Sequence, residues 1–249
     1  MTTKSLRVLL EGLIDYAGLF PPAALSMQDA VRNYARYRDG AYAWALGKFV
    51  VPGDRAQEVP PEFPLSVLGV DEVKATTAED VERIAREADG RTVYVEIADL
   101  ALLDAIARHG LRAKIRTGGV TVDAFPAIGD VAKFLRACKT AGVAFKATAG
   151  LHHPLRCVKA LTYANDAPTG TMHGFLNVFL AAAILDHAEE ILGETDPGAF
   201  AFDDDGASWR GHRVTTDALR TMRREFATSF GSCSFDEPID DLRALGWVE

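Results

Sequence analysis

The sequence predicts a single α/β domain over residues 1–249, folded as a (β/α)8 barrel of the TIM type. Short apolar runs alternate with amphipathic segments of roughly 10 to 20 residues, which is the pattern of βα units around a parallel sheet. The length of 249 residues is typical of one such barrel. No repeat, low-complexity segment or long linker divides the chain.

The predicted strands are short and bounded by turn residues. They cover residues 14–20, 46–51, 65–69, 92–97, 112–117, 143–149, 199–202 and 230–235. Pro21-Pro22 ends the first strand and Pro52-Gly53 ends the second, because proline cannot donate to a sheet ladder. Eight strands favour a closed barrel. The third and seventh strand patterns are weak, which leaves an open, doubly wound sheet as the alternative.

Helical periodicity fills most of the segments between these strands. The predicted helices cover residues 5–13, 26–37, 76–88, 100–109, 130–141, 174–192, 215–228 and 240–245. Ser26 with Asp29, and Thr76 with Glu79, have the spacing of N-terminal capping boxes. Residues 150–171 form a loop longer than most βα connections, so this loop is a candidate functional segment.

Composition limits the kinds of partner. The chain is 48% hydrophobic and 25% charged, as is typical of a soluble globular protein. Its net charge of −8 argues against non-specific nucleic-acid binding, although a local cationic cluster would still accept a small anionic substrate. The first 13 residues lack a signal-peptide core, and the longest apolar run, around 175–185, is too short for a membrane span. We therefore expect a cytoplasmic protein without membrane contact, and a homo-oligomer is compatible with the sequence.

The three cysteines do not suggest a disulfide framework. Cys138, Cys157 and Cys233 are odd in number and lack the spacing of a thiolate zinc site. No nucleophile-elbow pattern surrounds Cys233, so we interpret it as a small packed residue. No cofactor is expected, with a divalent metal ion left open.

Polar residues alternate along three consecutive predicted strands. The pairs are Tyr94 and Glu96, Lys114 and Arg116, and Lys146 and Thr148. Parallel strands buried on both faces rarely hold charges, and barrel enzymes place their catalytic groups at the C-terminal strand ends. One interpretation is a structural layer of ion pairs. Buried ion pairs add little net stability, so we favour a functional site.

Two lysines on adjacent strands suggest a specific chemistry. The ammonium groups of Lys114 and Lys146 disfavour each other, and burial acts in the same direction, so we expect one of them to be deprotonated near neutral pH. A neutral lysine attacks a carbonyl carbon to form a Schiff base. Glu96 would then carry protons, while Arg116 and Thr148 would bind the substrate.

The segment 141–150, AGVAFKATAG, resembles the lysine strand of deoxyribose-phosphate-type class I aldolases. In that family, a strand lysine that follows an Ala-Gly helix end forms the Schiff base with an aldehyde, which implies this role for Lys146. The segments 14–22, IDYAGLFPP, and 230–235, FGSCSF, resemble an uncharacterised bacterial family of barrel-like proteins. That second resemblance implies the fold and no particular activity.

Two adjacent histidines follow the predicted lysine strand. A proline after His153 holds it extended, so the rings of His152 and His153 are expected to point in different directions. General acid/base catalysis, metal ligation and a purely structural role in the loop all remain open. A metal site would recruit Glu96, Asp15 and His173, although no compact zinc spacing is present.

The start of the apolar helix at residue 174 is a candidate anion site. Backbone N–H groups and the positive helix end suit a carboxylate or phosphate there, unless Thr171 is simply the N-cap. His173 and Asn177, one turn apart, are then candidate substrate-binding residues. Asp15 and Tyr16 at the end of the first strand would reach the same mouth, with a hydrogen-bond anchor as the alternative for Asp15.

These patterns favour an aldolase-like lyase or isomerase that acts on a small anionic carbonyl compound through Lys146. Lys114, Glu96, His152 and His153 would complete the catalytic set. A metal-dependent hydrolase or lyase using the histidine loop is the first alternative. A non-catalytic barrel that binds a small anion or a partner subunit is the second.

Overall fold

The computed structural model describes residues 2–249 and contains a closed barrel of eight parallel strands. The strands in chain order are β1 (Ile14–Tyr16), β2 (Leu46–Pro52), β3 (Leu65–Leu68), β4 (Glu72–Lys74), β5 (Tyr94–Glu96), β6 (Arg112–Arg116), β7 (Phe145–Thr148), β8 (Cys157–Ala160), β9 (Thr169–Met172), β10 (Phe200–Phe202), β11 (Gly206–Trp209), β12 (His212–Thr215) and β13 (Ala227–Ser232). The barrel follows the order β1-β13-β7-β6-β5-β4-β3-β2. The predicted TIM-type barrel is confirmed, and the open sheet is not formed.

Helices surround the barrel and connect most of its strands. They are α1 (Lys4–Leu10), α2 (Met27–Arg38), α3 (Ala78–Ala88), α4 (Leu103–Arg108), α5 (Ile128–Ala141), α6 (Phe175–Ala183), α7 (Ala188–Gly193), α8 (Thr216–Glu225) and α9 (Asp236–Ala244). Ser26 caps α2 as its sequence predicts. The box of α3 is formed by Thr77 and Asp80, one residue after the predicted pair, because the Asp80 carboxylate accepts the backbone N–H groups of both Thr76 and Thr77.

One predicted barrel strand lies outside the barrel. Residues 199–202 were predicted as the seventh strand, but β10 pairs antiparallel with β11, in a small sheet with β12 outside the barrel. The barrel strand that the sequence does not predict is β4. It follows β3 after only three residues and pairs with β5. The side chain of Asp71 accepts the Val67 backbone N–H and stabilises this tight turn. A strand of three residues with a charge at each end has no apolar run to reveal it.

The long segment between β7 and β13 is more divided than predicted. Within residues 150–171, β8 pairs antiparallel with β9, so the predicted loop is largely a hairpin. The predicted helix 174–192 is two helices, because the chain leaves the helical conformation at Ile184 (φ −127°, ψ 65°). The last barrel strand covers 227–232 instead of 230–235, since its first residues, Ala-Thr-Ser, are small or polar.

Aromatic side chains fill the space between the barrel and its helices. The Phe145 ring on β7 lies 5.2 Å from Phe226 and 5.5 Å from Phe134, measured between ring centroids. Phe175 stacks on Phe230 at 5.1 Å.

Within residues 2–249, no helix has both the length and the apolar character that a membrane crossing needs. The apolar helix α6 is instead buried along nearly its whole length against the barrel.

We expect Phe145→Ala to lower the free energy of unfolding by about 3 to 5 kcal/mol, because it leaves a cavity in this aromatic layer. Urea titration followed by circular dichroism measures the change. Val158→Ala is the matched control, since Val158 on β8 is 64% exposed and its loss leaves no cavity. Equal effects of the two substitutions would contradict the packing described here.

Candidate active site

A cavity of about 400 Å³ opens at the C-terminal ends of the barrel strands. Three groups of residues line it: a floor of Glu72, Lys114 and Lys146, a wall of His152, His153, Cys233 and Glu237, and a cover that includes Leu161, Thr162, Tyr163 and Met172. The cover belongs to the β8–β9 hairpin and its connecting loop. The segment 150–171 that the sequence singled out therefore lies over the cavity.

Lys146 is the most deeply buried member of the floor, with 1% of the residue exposed. Its Nζ donates to Asp15 Oδ2 at 2.7 Å and to Glu72 Oε1 at 2.6 Å. Burial alone would lower the pKa of Lys146, but the two carboxylates outweigh it and hold the pKa well above its usual range. The expectation of a deprotonated lysine is therefore wrong for Lys146, because carboxylates and not the second lysine are its nearest charges.

Glu72 joins the two lysines of the floor. Its Oε1 accepts from Lys146 and from Ser66 Oγ at 2.6 Å, and its Oε2 lies 2.9 Å from Lys114 Nζ. Burial would raise the pKa of Glu72, but Lys146 and Lys114 lower it to about 2. Sequence reasoning missed Glu72 because it missed β4. The one available signal was a carboxylate beside Val73 at a tight turn, which is also common on protein surfaces.

The charge network continues outward to Glu96. Lys114 Nζ lies 3.1 Å from Glu96 Oε2, and Glu96 Oε1 lies 3.2 Å from Lys74 Nζ and 3.3 Å from Arg116 Nε. Glu96 lines a second cavity, of about 470 Å³, between β4 and α3, and not the cavity at the strand mouth. Of the two carboxylates beside Lys114, Glu72 lines the mouth cavity and Glu96 does not, so Glu96 is removed from the predicted role of proton carrier.

Asp15 combines the two roles considered for it. Its Oδ1 accepts the Lys48 backbone N–H at 2.8 Å, which anchors β1 to β2. Its Oδ2 accepts from Ser229 Oγ at 2.8 Å as well as from Lys146. Asp15 therefore holds Lys146 in place from the strand opposite Glu72.

Besides Asp15, three predicted substrate-binding residues do not line the mouth cavity. Tyr16 packs edge-on against Tyr37 with ring centroids 5.3 Å apart, on the side of β1 that faces the helices. His173 is buried, and its Nε2 lies 2.8 Å from the Pro126 carbonyl oxygen. Asn177 donates to the carbonyl groups of residues 191 and 194, which joins α7 to α6. All three are structural, whereas Arg116 and Thr148 do line the cavity.

The start of α6 is not an anion site. The backbone N–H groups of Phe175 and Leu176 donate to the carbonyl oxygens of His153 and Pro154, both at 3.0 Å. Thr171 lies in β9 and does not cap the helix. The helix terminus is thus occupied by the histidine loop, which it holds against the barrel.

The turn after β7 brings the histidines over the cavity. Gly150 adopts a left-handed conformation (φ +73°), and a Cβ atom there would lie 2.7 Å from the Cα of Gly118, so only glycine fits. His152 Nδ1 then lies 2.9 Å from Glu237 Oε2. His153 Nδ1 lies 2.6 Å from Asp241 Oδ2, also on α9. Both rings line the cavity, and each is oriented by its own carboxylate.

Cys233 lies beside His152 on the cavity wall. Its Sγ is 3.9 Å from His152 Nε2, and Tyr163 donates its hydroxyl to Glu237 at 2.8 Å. Burial would lower the pKa of His152, but Cys233 and Glu237 raise it to about 9. Cys233 is only 5% exposed, as expected of a packed residue, yet it faces the cavity and contacts a polarised imidazole. Local sequence patterns do not reveal this contact, because 81 residues separate the two positions.

Comparison with known proteins adds no functional assignment. No protein-family model matches the sequence, and no curated protein is significantly similar to it. Across residues 2–249, no group of three or more His, Cys, Asp or Glu side chains is arranged to hold a metal ion.

We expect Glu72→Gln to lower the free energy of unfolding at pH 7 by about 3 to 5 kcal/mol, because two buried ammonium groups lose their shared partner. The folded-state pKa of Glu72, about 2, lies below the usual value of 4.5. Its stabilising contribution is therefore present above about pH 4.5 and is lost as the pH falls toward 2. Chemical denaturation at several pH values should show the difference between the two proteins shrinking over that range. Glu87→Gln on the surface of α3 is the control, and a pH-independent difference for Glu72→Gln would contradict the assignment.

Proposed function

We propose that this protein is a lyase or isomerase that binds a small anionic carbonyl compound and forms a Schiff base with it at Lys146. The observation that carries the proposal is the position of Lys146 Nζ, buried at the cavity floor between Asp15 and Glu72 at 2.7 and 2.6 Å. A single buried cation held by two carboxylates is costly to maintain for stability alone. A reaction that needs a positive charge at this position explains why the buried lysine is present.

The two carboxylates suit the protonated Schiff base as well as the free lysine. An ammonium group and a carbonyl compound give an iminium ion and water, so the positive charge stays at the same nitrogen. Asp15 and Glu72 already stabilise a positive charge there, without reorganisation during the reaction. Attack needs the neutral amine for a moment, and either carboxylate is within hydrogen-bond distance to take the proton. The iminium then withdraws electrons from the neighbouring carbon, as cleavage or isomerisation requires.

An anionic substrate group has cationic partners in the same cavity. Lys114 lies one strand away from Lys146, with Cα atoms paired in register, and Arg116 follows two residues later at the cavity edge. The Arg116 side chain is 48% exposed, so its guanidinium can reach a carboxylate or phosphate in the cavity. Thr148, paired with Arg116 across the strands, adds a hydroxyl.

The histidine wall supplies acid and base groups above the floor. His152 has a pKa raised to about 9, so it is protonated at neutral pH and suits a general acid. His153 is oriented by Asp241 and lines the same cavity. Proton transfer to the departing or rearranging part of the substrate is therefore assigned to this wall.

Borohydride reduction with a panel of small aldehydes and keto acids tests the Schiff base directly. We expect a stable adduct on Lys146, located by peptide mass spectrometry. Lys146→Arg keeps a cation between the two carboxylates but cannot form the imine, so it should give no adduct at position 146. Lys48→Arg, at an exposed lysine of β2, should leave the adduct unchanged. A folded protein that gives no adduct on Lys146 across the panel would refute the proposal.

The role of Arg116 is tested by the dependence of trapping on ligand charge. We expect Arg116→Gln to raise the concentration of a keto acid that gives half-maximal trapping by about tenfold, the equivalent of one charge-assisted hydrogen bond. Trapping of a neutral aldehyde should not change. Equal effects on both ligands would mean that Arg116 does not bind the anionic group.

A further inference from the structure

We propose that Cys233 is a second covalent site in the mouth cavity, a nucleophilic thiol activated by His152 and Glu237 that adds reversibly to an aldehyde carbonyl. The activation of the thiol is independent of Lys146. The identity of its ligand rests on the function proposed above, because the same cavity would present the same carbonyl compound to both groups.

The geometry is that of a thiol, a base and an orienting carboxylate in series. Cys233 Sγ lies 3.9 Å from His152 Nε2, and the other ring nitrogen of His152 lies 2.9 Å from Glu237 Oε2. Contacts between a nucleophile and its base are often this loose before a substrate is bound. Tyr163 contacts both ends, with its hydroxyl 2.8 Å from Glu237 Oε2 and 3.7 Å from Cys233 Sγ. All four side chains line the mouth cavity.

The titratable side chains around the Cys233 thiol determine the electrostatic environment of the sulfur. His152 and Tyr163 face it from the segment after β7, Glu237 approaches from α9, and Tyr16 interacts with it electrostatically from β1. The only group among these that is cationic near neutral pH is His152. A thiolate next to an imidazolium is an arrangement found at reactive cysteines. Glu237 holds the imidazole so that its Nε2 faces the sulfur.

The addition step conserves atoms and electrons. The reacting form is the thiolate–imidazolium pair, in which the thiol proton already resides on His152 Nε2, and the Sγ–carbon bond forms as the carbonyl π pair moves onto oxygen. His152 then returns the proton to that oxygen, which gives a thiohemiacetal. No group leaves and no oxidant or reductant is needed. The reverse step releases the aldehyde unchanged, so the thiol can hold a carbonyl compound at the wall of the cavity.

The three cysteines of the chain allow an internal comparison. Burial raises the pKa of Cys138 to about 12 and that of Cys157 to about 11, so both are unreactive at low pH. We expect iodoacetamide at pH 6 to alkylate Cys233 at least tenfold faster than Cys157, measured by peptide mass spectrometry of the intact folded protein. His152→Asn should slow Cys233 alkylation at pH 6 at least tenfold, because the thiol loses the imidazole that takes its proton.

Glyoxylate, the smallest aldehyde that carries a carboxylate, is the ligand probe. It should slow Cys233 alkylation in the unaltered protein and in Lys146→Arg alike, without added borohydride. Protection that disappears in Lys146→Arg would show that glyoxylate acts through the lysine, which overturns thiohemiacetal formation but not the Schiff base. A Cys233 that reacts no faster than Cys157 overturns the activated thiol. If His152→Asn fails to fold, Glu237→Gln serves as the second variant and should slow alkylation at pH 6 in the same direction.

Discussion

The carboxylate of Glu72, divided between two buried lysines, is the interaction on which the rest of the site depends. One oxygen lies 2.6 Å from Lys146 Nζ and the other 2.9 Å from Lys114 Nζ. An unpaired buried charge costs several kcal/mol, and loss of this carboxylate would leave each lysine with only one anionic partner. Asp15 lies beyond Lys146 and Glu96 lies beyond Lys114, so carboxylates and ammonium groups alternate along the network. Each of the two floor lysines therefore has a carboxylate on each side.

This alternation requires a closed barrel. Asp15 lies on β1, Lys146 on β7 and Glu72 on β4, so an open sheet would leave at least one of these groups at an edge far from the others. In the barrel, β13 lies between β1 and β7. Its small residues allow Ser229 to join Asp15 and permit Lys146 to cross the interior. Closure of the barrel therefore brings the members of the charge network together.

The sequence predicts the part of this arrangement that depends on strand periodicity. Lys114 and Lys146 stand out because polar residues are rare in strands buried on both faces, and a period of two places them on the inner face. The same period shows why Asp15 and Tyr16 cannot both reach the mouth, since neighbouring strand residues face opposite sides. Glu72 was missed because a three-residue strand shows no period. Contacts such as that between α6 and the histidine loop depend on tertiary packing, which local sequence does not encode.

The floor and the wall of the cavity differ in how far burial constrains their chemistry. The nitrogen of Lys146 lies where a positive charge is already stabilised. In the proposed reaction, the ammonium group is therefore replaced by an iminium ion of the same charge. Cys233 sits beside a single imidazolium, and its addition product is neutral, so it needs no partner deep in the barrel. In the proposed reactions both groups benefit from exclusion of water, because water competes for the carbonyl carbon. The β8–β9 hairpin provides this exclusion by placing Leu161 and Met172 over the cavity while Val158 faces solvent. Leu161 and Met172 make part of the cover apolar, whereas the floor is charged, and the proposed substrate, a small carbonyl compound with one anionic group, matches that division.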